Sequence, residues 1–424
     1  MTTFSFRRAH AVGACLASLV AGAAQCQVEP LSLEESLELA AARSQQLVAE
    51  SAAASAAREQ AIVAGTRPDL VLKASIDNLP IEGPNELSLT DDFMTMRSIG
   101  VERELVGGAK RRARSDFYER EAEAADAARS LALSTLRQRT AAAWFDRLYS
   151  DRAAEMLVTQ RASADAMVVA ADVAYANGTG TQTDVLAARA AVARSDDAIA
   201  AAERDVALAR ARLARWIGDD DALRPLAPPP RTDSASVHHG NLEQQLALHP
   251  DIQLMLKQEA AAAAQAEVAR AERRPNWTIG VEYQERGSAY ADMVSVNASR
   301  PLQLHRSQRQ DRLLASSLAT ASRARATREE ETRAHLFEAH TLIETWVSNR
   351  ARLERYAATL LPLAEQRVVA ATSAYRSGRG SLNDVIEART ASIETQLQNL
   401  ALEAETTKVW AELEYLIPAE AGSP

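Results

Sequence analysis

Cysteine is nearly absent from this chain. Only Cys15 and Cys26 occur among 424 residues, both near the N-terminal end, so no disulfide framework can hold the remainder together. A second reading of Cys26, a lipid anchor after cleavage, is disfavoured because Gln25 stands where a lipoprotein signal has a small residue. Long apolar runs are also missing. The one such segment, Ala11–Ala24, follows Arg7 and Arg8 and ends in small residues; it reads as a secretory signal over 1–26 and is too short to span a bilayer, which takes about 20 residues. Excess positive charge is lacking too. The net charge is −9, and loss of Arg7 and Arg8 with the signal makes the exported chain more acidic still, a poor match to nucleic acid. The short basic clusters KRRAR (110–114) and HRSQRQDR (305–312) read as solvated helix faces.

Aromatic residues are scarce at 4 %, although 47 % of the chain is hydrophobic. Much of the difference is alanine spread through charged segments, the composition of closely packed helices. No proline occurs between Arg112 and Asn177. That stretch and His305–Ser377 are each read as one uninterrupted helix, on the order of 100 Å long at 1.5 Å per residue. Patterns of that length imply a coiled coil or helical array.

The chain is duplicated. AYANGTGTQTDVLAAR (174–189) returns as AYRSGRGSLNDVIEAR (374–389), and internal repeats define architecture before any local motif does. Ser32 with Glu35, and Asn241 with Gln244, read as N-caps opening the first helix of each half. Each first helix, about 30 residues long, is expected to stop at Arg67-Pro68 or Arg274-Pro275, since proline breaks the ladder and extends its predecessor. Beyond each Arg-Pro the period changes to two. Leu70, Leu72, Ala74 and Ile76 alternate with Val71, Lys73, Ser75 and Asp77; Trp277, Ile279, Val281 and Tyr283 alternate with Thr278, Gly280, Glu282 and Gln284. Return strands are expected over Phe93–Arg103 and Ala291–Ser299, giving hairpins 69–103 and 276–300.

A soluble hairpin and a piece of transmembrane barrel share this pattern, and the strand count separates them. Four strands cannot close a barrel in lipid, where no edge can stay open; three chains would supply twelve strands, an even number within the usual range. The fold class expected is mainly α with a small β part: a duplicated long-helix coiled-coil barrel plus two hairpins contributing to a trimeric, twelve-stranded transmembrane barrel. Its first repeat covers 27–225 with a turn at 177–181, a linker containing LAPPP covers 226–240, and the second repeat covers 241–424 with a turn at 377–381.

The duplicated plan, the YxxGxGxxxDVxxAR junctions and the VERELVGGAKRRAR exit from the second strand resemble the outer-membrane channel subunits of tripartite efflux systems, the TolC family. DNLP (77–80) and LTDDFMTMRSIGVEREL (89–105) look most like members serving heavy-metal exporters. The resemblance implies a homotrimer in the outer membrane of a Gram-negative bacterium, a helical tunnel in the periplasm, and passive transport driven by an inner-membrane RND-type pump through a periplasmic adaptor. A drug channel of the same fold and a periplasmic coiled-coil scaffold are the rival readings.

Gly178, Gly180, Gly378 and Gly380 supply the backbone freedom a tight interhelical turn requires. Thr181 with Asp184, and Ser381 with Asp384, then cap the following helices. The same turns, at the end of the long helices away from the hairpins, are the expected adaptor-docking tips. By resemblance, Asp384 and Glu387 correspond to an acidic constriction and Tyr375 to a tyrosine that helps latch it, with Tyr175 its first-repeat counterpart. Where the latch arginine is expected stands Gly380, with Arg379 beside it. The first repeat keeps Asp184 but has Ala187 opposite Glu387. His238-His239 and the Met94/Met96 pair are read as loop and strand packing, since neither completes a ligand set. No metal site, cofactor or catalytic constellation is expected.

Overall fold

The computed structural model describes residues 29–235 and 242–417. The signal segment, Cys26, the His238-His239 pair and Asn241 lie outside the described residues. Each first helix is split in two, contrary to the single helix expected. In the first half α1 (Leu33–Arg43) gives way to α2 (Gln45–Gly65) at Ser44, whose extended backbone breaks the ladder while its hydroxyl accepts from Leu47 N. In the second half α5 (Leu242–Leu246) precedes α6 (Pro250–Glu272), capped by His249 and opened by Pro250 at its first turn, where a missing N–H costs nothing. Ser32 caps α1 by accepting from Glu35 N at 3.1 Å.

Two antiparallel hairpins follow the Arg-Pro breaks and join in one sheet ordered β1-β2-β3-β4. Its strands are β1 (Val71–Asp77), β2 (Met96–Leu105), β3 (Trp277–Glu285) and β4 (Met293–Ser299). The second strand thus begins and ends later than expected. Phe93 and Met94 belong to the preceding loop, where Asp92 accepts from the Met94 and Thr95 amides, so only Met96 is a strand residue.

From the sheet descends α3 (Gly108–Ala176), 69 residues without a break, about 100 Å. It turns into α4 (Gln182–Ile217). The second long segment differs from its expectation. It starts only at Gln310, as α7 (Gln310–Arg355), passes through a π-helical turn at Tyr356–Leu360 and resumes as α8 (Leu361–Arg376) before α9 (Leu382–Glu414). Pro362 sits in the first turn of α8, and a proline amide cannot bond to the turn behind it, so the ladder is reset just there.

The scarce aromatics gather where the two repeats meet. Trp144 and Phe145 are fully buried in mid-α3 and pack edge-on, Phe145 packs edge-on against Trp410 of α9, and Trp216 and Trp346 border the same cluster. Trp144 Nε1 donates to Leu31 O at 3.3 Å, and Leu31 pairs with the inter-repeat linker at Leu226. Arg147, buried below α4, donates to Ala222 O at 2.7 Å and Arg224 O at 2.6 Å. One core therefore ties the N-terminal segment, the linker and both repeats together, leaving sheet and helix tips at opposite ends.

Candidate functional site

The sheet separates its side chains by chemistry. Cross-strand register aligns Leu72, Val101, Val281 and Val296 in one row and Ala74, Ile99, Tyr283 and Val294 in the next, all on one face. The opposite face carries Lys73, Gly100, Glu282 and Ser295, then Ser75, Ser98, Gln284 and Met293. Period-two sequence patterning produces this division directly. The apolar face has nothing of the chain packed over it: Leu72 is 71 % exposed and Val296 72 %.

Charges and aromatics mark the rims of the apolar face. At the loop end Arg97 pairs with Glu285 at 3.0 Å; at the helix end Trp277 lies opposite Leu105, with the Arg300 guanidinium 5.4 Å from its ring centre. Arg103, on the apolar parity, donates back to Pro68 O at 2.9 Å. Both outer strands, β1 and β4, are edges. An exposed apolar face with unpaired edges is a surface built to be covered. Among the described residues no helix is long and apolar enough to cross a membrane.

At the opposite end, the two interhelical turns have the same construction. Gly178 adopts φ +72° and Gly378 φ +69°, the left-handed conformation that stops a helix. The amides of Thr179 and Gly180 both donate to Ala174 O, and those of Arg379 and Gly380 to Ala374 O. A Cβ on Gly180 would stand 2.9 Å from that of Ala174, and on Gly380 3.0 Å from that of Ala374. Each junction thus needs two glycines for two reasons, one torsional and one steric. Reciprocal caps follow: Thr181 N donates to the Asp184 carboxylate at 2.9 Å and Ser381 N to that of Asp384 at 2.8 Å, while each hydroxyl accepts from the aspartate amide. The Asp384 carboxyl is held below the ordinary aspartate range, first by the Ser381 backbone N–H and then by its hydroxyl.

The sequence-derived aperture residues divide into several environments. Asp384 is exposed and committed to its cap. Glu387, also exposed, pairs across the hairpin with Arg367 at 3.1 Å, a partner that the sequence reading missed. The first repeat has Met167 and Ala187 at those positions and carries a separate link instead, with Arg189 of α4 donating to Asp172 of α3 at 3.2 Å. Tyr375 packs on a small cluster formed by Ala171, Val185 and Ala188 of the first repeat with Leu382 and Ile386 of the second, and Ala187 also borders it. Tyr175 is half exposed. Arg379 lies in the turn itself, linked through its backbone amide. The cluster brings the two tips together. Among the described residues no group of three or more His, Cys, Asp or Glu side chains is placed to hold a metal ion.

Residues 36–219 match the family described as outer membrane efflux protein. Among solved structures the chain is similar to the outer membrane protein VceC of Vibrio cholerae, at 21 % identity and TM-score 0.75 over 91 % of this chain and 95 % of that one. It is also similar to the outer-membrane channel OprN, at 19 % identity and TM-score 0.76 over 91 % and 89 % of the two chains. A third is CusC, whose structures concern transmembrane channel formation, at 16 % identity and TM-score 0.77 over 90 % and 91 %. Comparison with curated proteins gave no match. At such identities the structural likeness establishes the fold: long paired helices beneath a four-stranded antiparallel sheet.

Proposed function

We propose that the chain, whose residues 36–219 match the outer membrane efflux protein family, is one protomer of a passive outer-membrane exit duct. The observation that carries this reading is the four-stranded sheet with one exposed apolar face, one polar face and two open edges. In lipid such a sheet is stable only if further chains close it. Three copies make a twelve-stranded barrel whose polar faces line the lumen, with α3, α4 and α7–α9 forming a tunnel through the periplasm. The chain catalyses nothing; an RND-type pump and an adaptor docked at the turns around Gly178, Gly180, Gly378 and Gly380 supply solute and energy.

The tips would then surround the periplasmic mouth. Asp384 is the better candidate for fixed negative charge there, because Glu387 is balanced by Arg367. Carboxylates repeated around a narrow opening raise the local cation concentration. We assign heavy-metal cations as the solute, supported by the resemblance of DNLP (77–80) and DDFMTMR (91–97), at the two ends of the first hairpin loop, to members serving heavy-metal exporters. Growth of a deletion strain across graded zinc, cobalt, cadmium, nickel, copper and silver, beside hydrophobic antibiotics, tests that assignment. Sensitivity confined to metals is expected; sensitivity confined to antibiotics would move the duct to drug efflux.

A further inference from the structure

The two strand-to-helix junctions differ in a way that the duplication does not explain. In the first repeat β2 ends at Leu105 and α3 begins at Gly108. In the second, β4 ends at Ser299 and α7 begins only at Gln310, leaving the connection RPLQLHRSQR over 300–309. Its Leu302 and Leu304 are 80 % and 83 % exposed, the most solvent-open large apolar side chains of the described residues. They follow β4, whose Val294, Val296 and Ala298 form its apolar face, in a connection that has left the strand at Ser299. Around them Arg300, Arg306, Arg309 and Arg312 are all exposed.

We propose that this connection is an interfacial anchor that seats Leu302 and Leu304 among the lipids at the helix-side rim of the barrel, with the surrounding arginines on phospholipid phosphates. The proposal rests on the membrane reading of the sheet. Three observations select lipid over a protein partner as the occupant. The leucines lie just beyond β4, whose Val294, Val296 and Ala298 form the apolar face, and are themselves open to solvent. Trp277 and Arg300 stand together at the same rim, and an amphipathic ring beside a cation is the usual furniture of a membrane–water boundary. Four guanidinium groups on thirteen residues would be costly to bury in a dry protein contact, whereas beside phosphate oxygens they form charge-assisted hydrogen bonds and let their stems lie along acyl chains. Asp311 does not cancel this charge, because it is shared between Arg273 at 2.9 Å and Arg306 at 3.5 Å. Short apolar-plus-basic segments of this kind bind in the interface plane by combining buried area with attraction to anionic lipid.

The test places an environment-sensitive fluorophore on single cysteines, in a Cys15→Ser/Cys26→Ser background, at Leu302, Val296 and Gly178 of the full chain reconstituted in vesicles of phosphatidylethanolamine and phosphatidylglycerol. Nitroxide lipids labelled at the headgroup or deep in the acyl chain then report depth. Position 302 is expected to be quenched several-fold more by the shallow label, position 296 more by the deep one, and position 178 by neither. Quenching at 296 without quenching at 302 would overturn the anchor while leaving the barrel intact, placing the leucines against a neighbouring protomer. Absence of quenching at both would remove the membrane reading itself. In a second arm, Arg306→Gln/Arg309→Gln/Arg312→Gln should abolish the preference of position 302 for headgroup-labelled phosphatidylglycerol over phosphatidylcholine. An unchanged preference would show that the arginines do not hold the phosphates.

Discussion

The two repeats share one plan and live in different surroundings. The long helix of the first, α3, buries sixteen side chains along its length; α7 of the second buries three and α8 none. The long helix of the first repeat runs through the core unbroken, and the second repeat carries a π-turn, a long basic junction and an exposed flank bearing Phe337, Val347 and Leu363. Duplicated sequence therefore does not mean duplicated burial. Both repeats leave apolar side chains open, Val169 and Leu186 in the first and Phe337 and Leu363 in the second, but the first buries far more of its long helix.

That contrast is broken most severely in the core. Trp144→Ala should lower the unfolding free energy by about 3–5 kcal/mol, the usual cost of emptying a buried aromatic site. Phe337→Ala, at a residue 74 % exposed, should leave the single chain within about 0.5 kcal/mol of the parent and instead weaken the oligomer. Denaturant unfolding beside oligomer dissociation in detergent separates the two effects.

Acid should sharpen the contrast next. The cap of α2 is Ser44, which does not titrate in this range, whereas the cap of α6 is His249, stacked 4.4 Å from His335 and buried. Burial first, then the neighbouring His335, pushes the His249 pKa from 6.5 down to about 4, with Asp251 opposing. Neutral His249 is the folded form, so the unfolded chain takes up the proton first. Stability is whole above pH 6.5 and falls between 6.5 and about 4, by on the order of 3 kcal/mol if His249 acts alone. Amide exchange in α6 should accelerate over that window while α2 stays flat, and His249→Ser should remove the difference. Equal acceleration in both helices would contradict the assignment.

The tips should respond more mildly and almost equally. Gly178→Val and Gly378→Val force a branched residue into positive φ, at a cost of roughly 1–2 kcal/mol each; thermal melting that separates the two by more than that range would show that the turns are not equivalent. Asp384→Ala removes a reciprocal cap worth about 1 kcal/mol. Because the Asp384 carboxyl is held low, the cap is present at neutral pH and fades as acid protonates it. Asp384→Asn should flatten that acid limb, which pH-dependent melting of the two forms reads directly.

Much of this fold is legible in the sequence. Repeats, hairpins and both tight turns follow from spacing alone, because glycine at positive φ, a Ser or Thr three residues before Asp, and period-two alternation each have one economical solution. The misses have equally local causes. Pro362 stood in the sequence as a warning against an unbroken second helix, yet a proline in the first turn after a π-bulge is accommodated rather than terminating. The split of α1 from α2 turned on the backbone of one residue, Ser44, which ordinary helix propensity does not mark. The Arg367–Glu387 link joins residues on two helices, and such a contact appears only when their register is known.

The most direct test of the account is a planar-bilayer recording of the purified full chain in a potassium chloride gradient. The account predicts discrete conductance steps from an oligomer, with a reversal potential on the cation side that shifts towards zero in Asp384→Ala/Glu387→Ala. A chain that stays soluble without detergent and never conducts would contradict it.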